Sequence, residues 1–176
     1  MEQGFTLIEL LITTLVMTIG ISGAFMAIQQ GIIAVDYSNS RFTAAFLAQE
    51  GIEIIKNIRD TNVLEYYYVS ESVPWKEGLR AGDFEAEYAD AQSLNPILTE
   101  PICSPFCDFN DLRFLTKSED GFYNYNPLEK ATKFKRKVSI EEAELYLLKI
   151  EVTVYWKGRG RNIQEITVCQ ELYDWW

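Results

Sequence analysis

Between Glu9 and Asp36 the chain carries no ionisable side chain, an interval of 26 residues from Leu10 to Val35 dominated by Leu, Ile, Val, Ala, Met and Gly. A helix crosses a bilayer with about 20 predominantly apolar residues, so residues 5–35 read as a transmembrane helix. Helical periodicity continues past the run. Leu47, Gly51, Ile54, Ile55 and Ile58 recur at i, i+4, i+7, i+8 and i+11, a stripe that one helix face buries. Gln49, Glu50, Glu53, Lys56 and Asn57 populate the other faces. The spacing predicts one helix from Phe5 to about Ile58, on the order of 80 Å long, with residues 36–60 as its amphipathic continuation. Lys56 and Arg59 then lie near its end, where cations suit the negative pole of the helix dipole.

Residues 61–176 read as a β-rich globular domain. Val63 to Ser70, with Tyr66-Tyr67-Tyr68, fits a strand or part of a loop. Phe84, Ala86 and Tyr88 alternate with Glu85, Glu87 and Ala89, the pattern of a half-buried strand. Residues 93–127, with Pro96, Pro101, Pro105 and Pro127 among many Asn, Asp and Ser, read mainly as loop and as a surface for partners. Phe134, Arg136, Val138 and Ile140 alternate with Lys133, Lys135, Lys137 and Ser139. Leu148, Ile150, Val152, Val154 and Trp156 alternate with Lys149, Glu151, Thr153 and Tyr155. After the turn 157–161 a run from Ile163 to Leu172 completes a hairpin, with Ile166, Val168 and Leu172 inward and Gln170 out of pattern. Three strands with one apolar face need a cover, and the stripe from Leu47 to Ile58 supplies it. The fold class is α+β, a long N-terminal helix packed on a C-terminal antiparallel sheet.

At 176 residues the chain allows one soluble domain besides the membrane helix. Its formal charge of −10 argues against nucleic acid or anionic lipid head groups as electrostatic partners. Histidine is absent, which removes the commonest general base and metal ligand. No G-x-S-x-G, P-loop or dinucleotide fingerprint is present. The reading is therefore non-enzymatic, with no cofactor and no metal. The rival is a membrane-anchored hydrolase with an unfamiliar site. Cys103, Cys107 and Cys169 permit one disulfide and one leftover thiol. Cys103 and Cys107 flank Pro105 and are the candidate pair, although three pairings and three unpaired thiols all fit the spacing. Three Cys without His would need an acidic fourth ligand to hold zinc.

Glu9 is the anomaly. One carboxylate heading a membrane helix is costly, about 2.5–3.5 kcal/mol at a helix centre, and marks a functional position. It lies four residues after Phe5, so a cut between Gly4 and Phe5 creates an amine that Glu9 of a neighbouring subunit could pair and neutralise.

Gly4, Phe5, Thr6-Leu7-Ile8-Glu9 and the charge-free helix closely resemble the class III signal of type IV prepilins and type II secretion pseudopilins. The resemblance implies cleavage after Gly4 by a prepilin peptidase, methylation of Phe5 by the same enzyme, and Glu9 as the carboxylate that serves methylation and subunit docking. It implies residues 1–4 as the leader, residues 5–35 as a membrane and later filament-core helix, and a globular domain outside the cytoplasmic membrane. Partners would be membrane lipid before assembly, other pilin or pseudopilin subunits, and the inner-membrane assembly platform. The family's leader usually carries Lys or Arg, and Met1-Glu2-Gln3-Gly4 has neither. Either the leader is unusually short or translation starts upstream, and topology rests on the resemblance.

Asp120-Gly121-Phe122-Tyr123 ahead of Thr132-Lys133-Phe134-Lys135-Arg136 also resembles the pattern of minor pilins and the I-type minor pseudopilin. So do Lys149-Ile150-Glu151-Val152-Thr153-Val154-Tyr155-Trp156 and Gln49-Glu50-Gly51-Ile52-Glu53. The competing reading is a secreted or membrane-anchored extracytoplasmic binding domain with an ordinary signal sequence cut near Ser22-Gly23-Ala24. Against it, the apolar run exceeds the usual 7–15 residues and no basic segment precedes it.

Other features weigh less. Gly20, Gly23 and Gly31 fit small-residue packing between helices or local melting around Gly20 to Gly23 in a filament. Asp108, Asn110 and Asp111, and separately Glu119 and Asp120, could suggest calcium, but Leu112 breaks the calcium-loop pattern and solvated loop side chains fit better. Lys133, Lys135, Arg136 and Lys137, with Arg159 and Arg161 in a turn, could contact DNA, but a solvated face or edge-strand protection fits better. Trp175 and Trp176 fit a contact surface or packing on the sheet.

Overall fold

The computed structural model describes residues 6–69, 74–88, 98, 107, 109–158 and 162–174. Helix α1 runs Leu7–Tyr68. The chain divides into two compact units, Met1–Asn39 and Ser40–Trp176. In the first, every described side chain is exposed and α1 is long and apolar enough to cross a membrane.

The second unit is a helix on a sheet. Strands β1 (Gly82–Phe84), β5 (Phe134–Glu144), β6 (Leu147–Lys157) and β7 (Ile163–Tyr173) form one antiparallel sheet in the order β1-β5-β6-β7. Strands β2 (Thr116–Lys117), β3 (Tyr123–Asn124) and β4 (Lys130–Ala131) form a small sheet in the order β3-β2-β4. In the large sheet Phe134, Arg136, Val138 and Ile140 stand opposite Trp156, Val154, Val152 and Ile150. All eight are buried on the face that α1 covers with Ala44, Leu47, Ala48, Ile54, Ile55 and Ile58. Each buried Leu, Ile or Val among them contributes about 1.5–3 kcal/mol when fully buried, which is what holds this part of the helix to the sheet.

Three expectations change. Helix α1 does not end near Ile58 but continues through Tyr68, where a strand or loop was expected. Asn62 and Val63 prolong the buried stripe, and the Asn62 side-chain amide donates to the carbonyls of Trp75 (3.1 Å) and Glu77 (2.8 Å). These contacts override the strand preference of the tyrosines. Lys56 and Arg59 therefore sit mid-helix, paired with Glu53 at 3.1 Å and Asp60 at 2.6 Å, and α1 has no cation in its last turn.

The strand expected through Tyr88 is cut to Gly82–Phe84. Phe84 and Ala86 are buried as their alternation requires, but so is Glu85, because the backbone amide and guanidinium of Arg113 hold its carboxylate at 2.7 and 2.6 Å.

The second face of the large sheet is not all solvent either. Phe109, at 8 % exposure, lies edge-on to Tyr155 of β6 at a centroid distance of 6.2 Å. In the described part of 93–127 the chain is mostly loop around β2 and β3.

Candidate functional site

At the start of α1, Thr6 accepts the backbone N–H groups of Glu9 (3.1 Å) and Leu10 (3.2 Å) on its carbonyl, and its hydroxyl lies 3.4 Å from the same Glu9 N–H. Glu9 thus falls in the first turn of the helix, where unpaired N–H groups and the positive end of the dipole favour an anion. Its carboxylate heads the exposed apolar run.

The run's three threonines are satisfied within the helix. The Thr13 hydroxyl donates to the carbonyls of Glu9 and Leu10, Thr14 to Leu10 and Leu11 at 3.0 Å each, and Thr18 to Thr14 at 2.7 Å. These bonds pair the three hydroxyls with backbone carbonyls, which makes this stretch a surface that lipid tolerates. Glu9 is left as the one ionisable group in the first unit ahead of Asp36 among the described residues.

A Cβ placed on Gly20, Gly23 or Gly31 would meet nothing within 4 Å. The glycines therefore answer no packing need inside the chain, and α1 is helical through all three. Gly4 and Phe5, the expected processing positions, lie outside the described residues, as do Cys103, Asp108, Arg159, Arg161, Trp175 and Trp176. Cys107 is disulfide-bonded and Cys169 carries a free, exposed thiol. No group of three or more Cys, Asp or Glu positioned for a metal occurs among the described residues.

Lys133 precedes β5 and is exposed, but Lys135, Arg136 and Lys137 lie on an inner strand between β1 and β6, not at an edge, with Lys135 and Arg136 buried. Lys133 donates to the Ser40 hydroxyl at 2.5 Å. Lys135, 5 % exposed, donates to the Phe109 carbonyl at 2.7 Å and lies 4.4 Å from the ring centroids of both Phe109 and Phe114. Burial pushes its pKa below the usual lysine value, and Lys157 nearby adds to the shift.

Lys137 reaches Asp83 at 3.7 Å. Arg136 is fully buried between α1 and the sheet. It donates to the carbonyls of Leu47 (3.0 Å) and Ala86 (2.5 Å) and lies 3.3 Å from Glu50. Tyr125 packs under the Arg113 guanidinium, 4.6 Å from its ring centroid, and burial raises its phenol far above the ordinary range. Arg136, Lys135 and Lys137 tie loop and helix to the sheet through these contacts.

Alternation in the sequence put Arg136 on the covered face, but the acceptors on α1 and after β1 that hold it there come from distant segments and carried no local signal. Among the described residues, the exposed apolar run of α1 is headed by one acid, Glu9.

Residues 1–25 match the family model described as the prokaryotic N-terminal methylation motif. No curated protein and no solved structure matches the chain. The matched motif supports a type IV pilin-like or pseudopilin subunit, a structural rather than an enzymatic family.

Proposed function

With an N-terminal methylation motif over residues 1–25 as premise, we propose that the chain is a non-enzymatic structural subunit of a type IV pilus or a related type II secretion pseudopilus. Prepilin peptidase cuts between Gly4 and Phe5 and methylates Phe5. The subunit waits in the cytoplasmic membrane as a single-pass protein with its globular unit outside, and enters the filament through its N-terminal helix. The segments resembling minor pilins and the I-type pseudopilin support a minor rather than a major subunit. Cys103 is the proposed partner of Cys107, in keeping with an oxidising compartment.

The observation that carries the reading is the helix itself. Its apolar side chains from Leu7 to Val35 are exposed within the chain, so their partners must be lipid or other helices. Its acid sits at the one end where a neighbour's new amine could reach it. Stacked helices bury the apolar surface, and the Glu9–amine pair fixes the register, because an unpaired buried charge costs several kcal/mol.

Intact-mass analysis of the mature chain tests this. The expected mass is that of a chain beginning at Phe5 with one added methyl group. A chain that begins at Met1, or near Phe25 after signal-peptide cleavage, would overturn the proposal.

A further inference from the structure

Strand β7 lies at one edge of the large sheet and, among the described residues, pairs with β6 alone. An edge strand presents a row of unpaired N–H and C=O groups, and proteins ordinarily blunt such a row by shortness, proline, lysine or a bulge. The opposite edge follows that rule, since β1 is three residues long. In contrast, β7 has 11 residues, contains neither proline nor lysine, and pairs with β6 in unbroken register from Ile163 to Tyr173.

The cover over the sheet also thins toward this edge. On the face that α1 covers, Val152 and Val154 of β6 are fully buried, whereas their partners Val168 and Ile166 on β7 are half-buried. On the other face Glu165, Thr167, Cys169 and Glu171 are exposed. A further strand laid along β7 would set apolar side chains beside Ile166 and Val168 and complete their burial, while its backbone took up the row of donors and acceptors.

Charge selects what that strand can be. Glu165 and Glu171 are the charged side chains of β7, and neither forms an ion pair among the described residues. They lie symmetrically about Val168. A second copy pairing antiparallel along the whole strand would therefore set Glu165 against Glu171 twice, and like charges directly opposite are destabilising. Lysine or arginine at the same spacing on an incoming strand meets both carboxylates instead.

We propose that β7 is a strand-addition site for an extended segment of another protein, with alternating apolar residues on the side of α1 and two basic residues, spaced as Glu165 and Glu171 are, on the other. The surface belongs wholly to the unit Ser40–Trp176, and the proposal stands independently of processing at Gly4.

The test uses the full chain in detergent and a synthetic peptide as long as β7. The peptide carries valine at the central positions of one face, two lysines on the other at the spacing of Glu165 and Glu171, and threonine elsewhere. One control peptide has glutamate for both lysines, and a second has N-methyl groups along its backbone. Hydrogen exchange is expected to slow at the outward amides of β7 and to stay unchanged in β5. The lysine peptide should bind at least about tenfold tighter than the glutamate peptide, and the methylated one should leave β7 unprotected.

In the double variant Glu165→Lys with Glu171→Lys both substitutions are at exposed positions, so the fold is expected to be kept, with exchange in β5 as the check, and the preference should reverse. No slowing in β7, equal binding of the lysine and glutamate peptides, or equal binding of the methylated one would overturn the proposal. Protection of β7 that rises with the concentration of the chain alone would assign the edge to a second copy and overturn it as well.

Discussion

Gly51 sets how closely α1 approaches the sheet. A Cβ there would stand 2.8 Å from Val152 Cγ1 and 3.2 Å from Arg136 Cδ. Both neighbours resist displacement. Val152 is a β-branched residue with little rotamer freedom, and Arg136 is tied to carbonyls on two other segments. Alanine gains about 1 kcal/mol of helix propensity over glycine, while overpacking a tight core costs about 1–3 kcal/mol. Gly51→Ala is therefore expected to be destabilising by about 1 kcal/mol net, and Gly51→Leu by more than about 3 kcal/mol. Urea unfolding of the full chain in detergent measures both. Unchanged stability for Gly51→Leu would mean that the glycine does not fix the spacing. Periodicity alone placed Gly51 on the buried stripe, but the need for a missing side chain depends on Val152, a hundred residues away, and could not be read locally.

At the scale of elements, the parts that were legible are those whose period is long and whose burial is one-sided. Strands β5, β6 and β7 fall where alternation put them, and the half-buried Ile166 and Val168 of β7 face the core with Leu172 while Gln170 is exposed. What failed was the end of α1. Tyr66-Tyr67-Tyr68 has strand propensity, yet a polar residue, Asn62, decides the matter through contacts 13 and 15 residues away. Local preference loses to a buried amide whose two hydrogen atoms both find carbonyls. Asn62→Ala should leave the carbonyls of Trp75 and Glu77 without this donor and cost about 1–3 kcal/mol. The loss should be local. Hydrogen exchange is expected to quicken from Val63 to Tyr68 while Leu47 to Ile58 stay protected, since the latter are held by the sheet. Equal quickening along the whole helix would show instead that Asn62 supports the core.

For the molecule as a whole, the proposed role turns on Glu9 serving different ends in two environments. In a bilayer it would be a burden, eased by its place in the first turn, where the positive end of the helix dipole favours an anion. In a filament it would be an asset only if an adjacent Phe5 amine neutralises it. Glu9→Leu removes the burden without adding polar surface, so membrane insertion is expected to be unchanged or slightly better. The same change leaves the neighbour's amine unpaired in an apolar interior, and breaking a buried pair costs about 3–5 kcal/mol. A factor of ten corresponds to about 1.4 kcal/mol, so incorporation should fall at least tenfold even if most of the pair's energy is recovered by water. The measurement is the fraction of chain found in sheared filaments against membranes, with Phe5 methylation followed separately. Loss of methylation with full incorporation would assign Glu9 to processing alone. Full incorporation with full methylation would remove it from the mechanism, because the helix would then assemble on its apolar surface without a charge to choose the register.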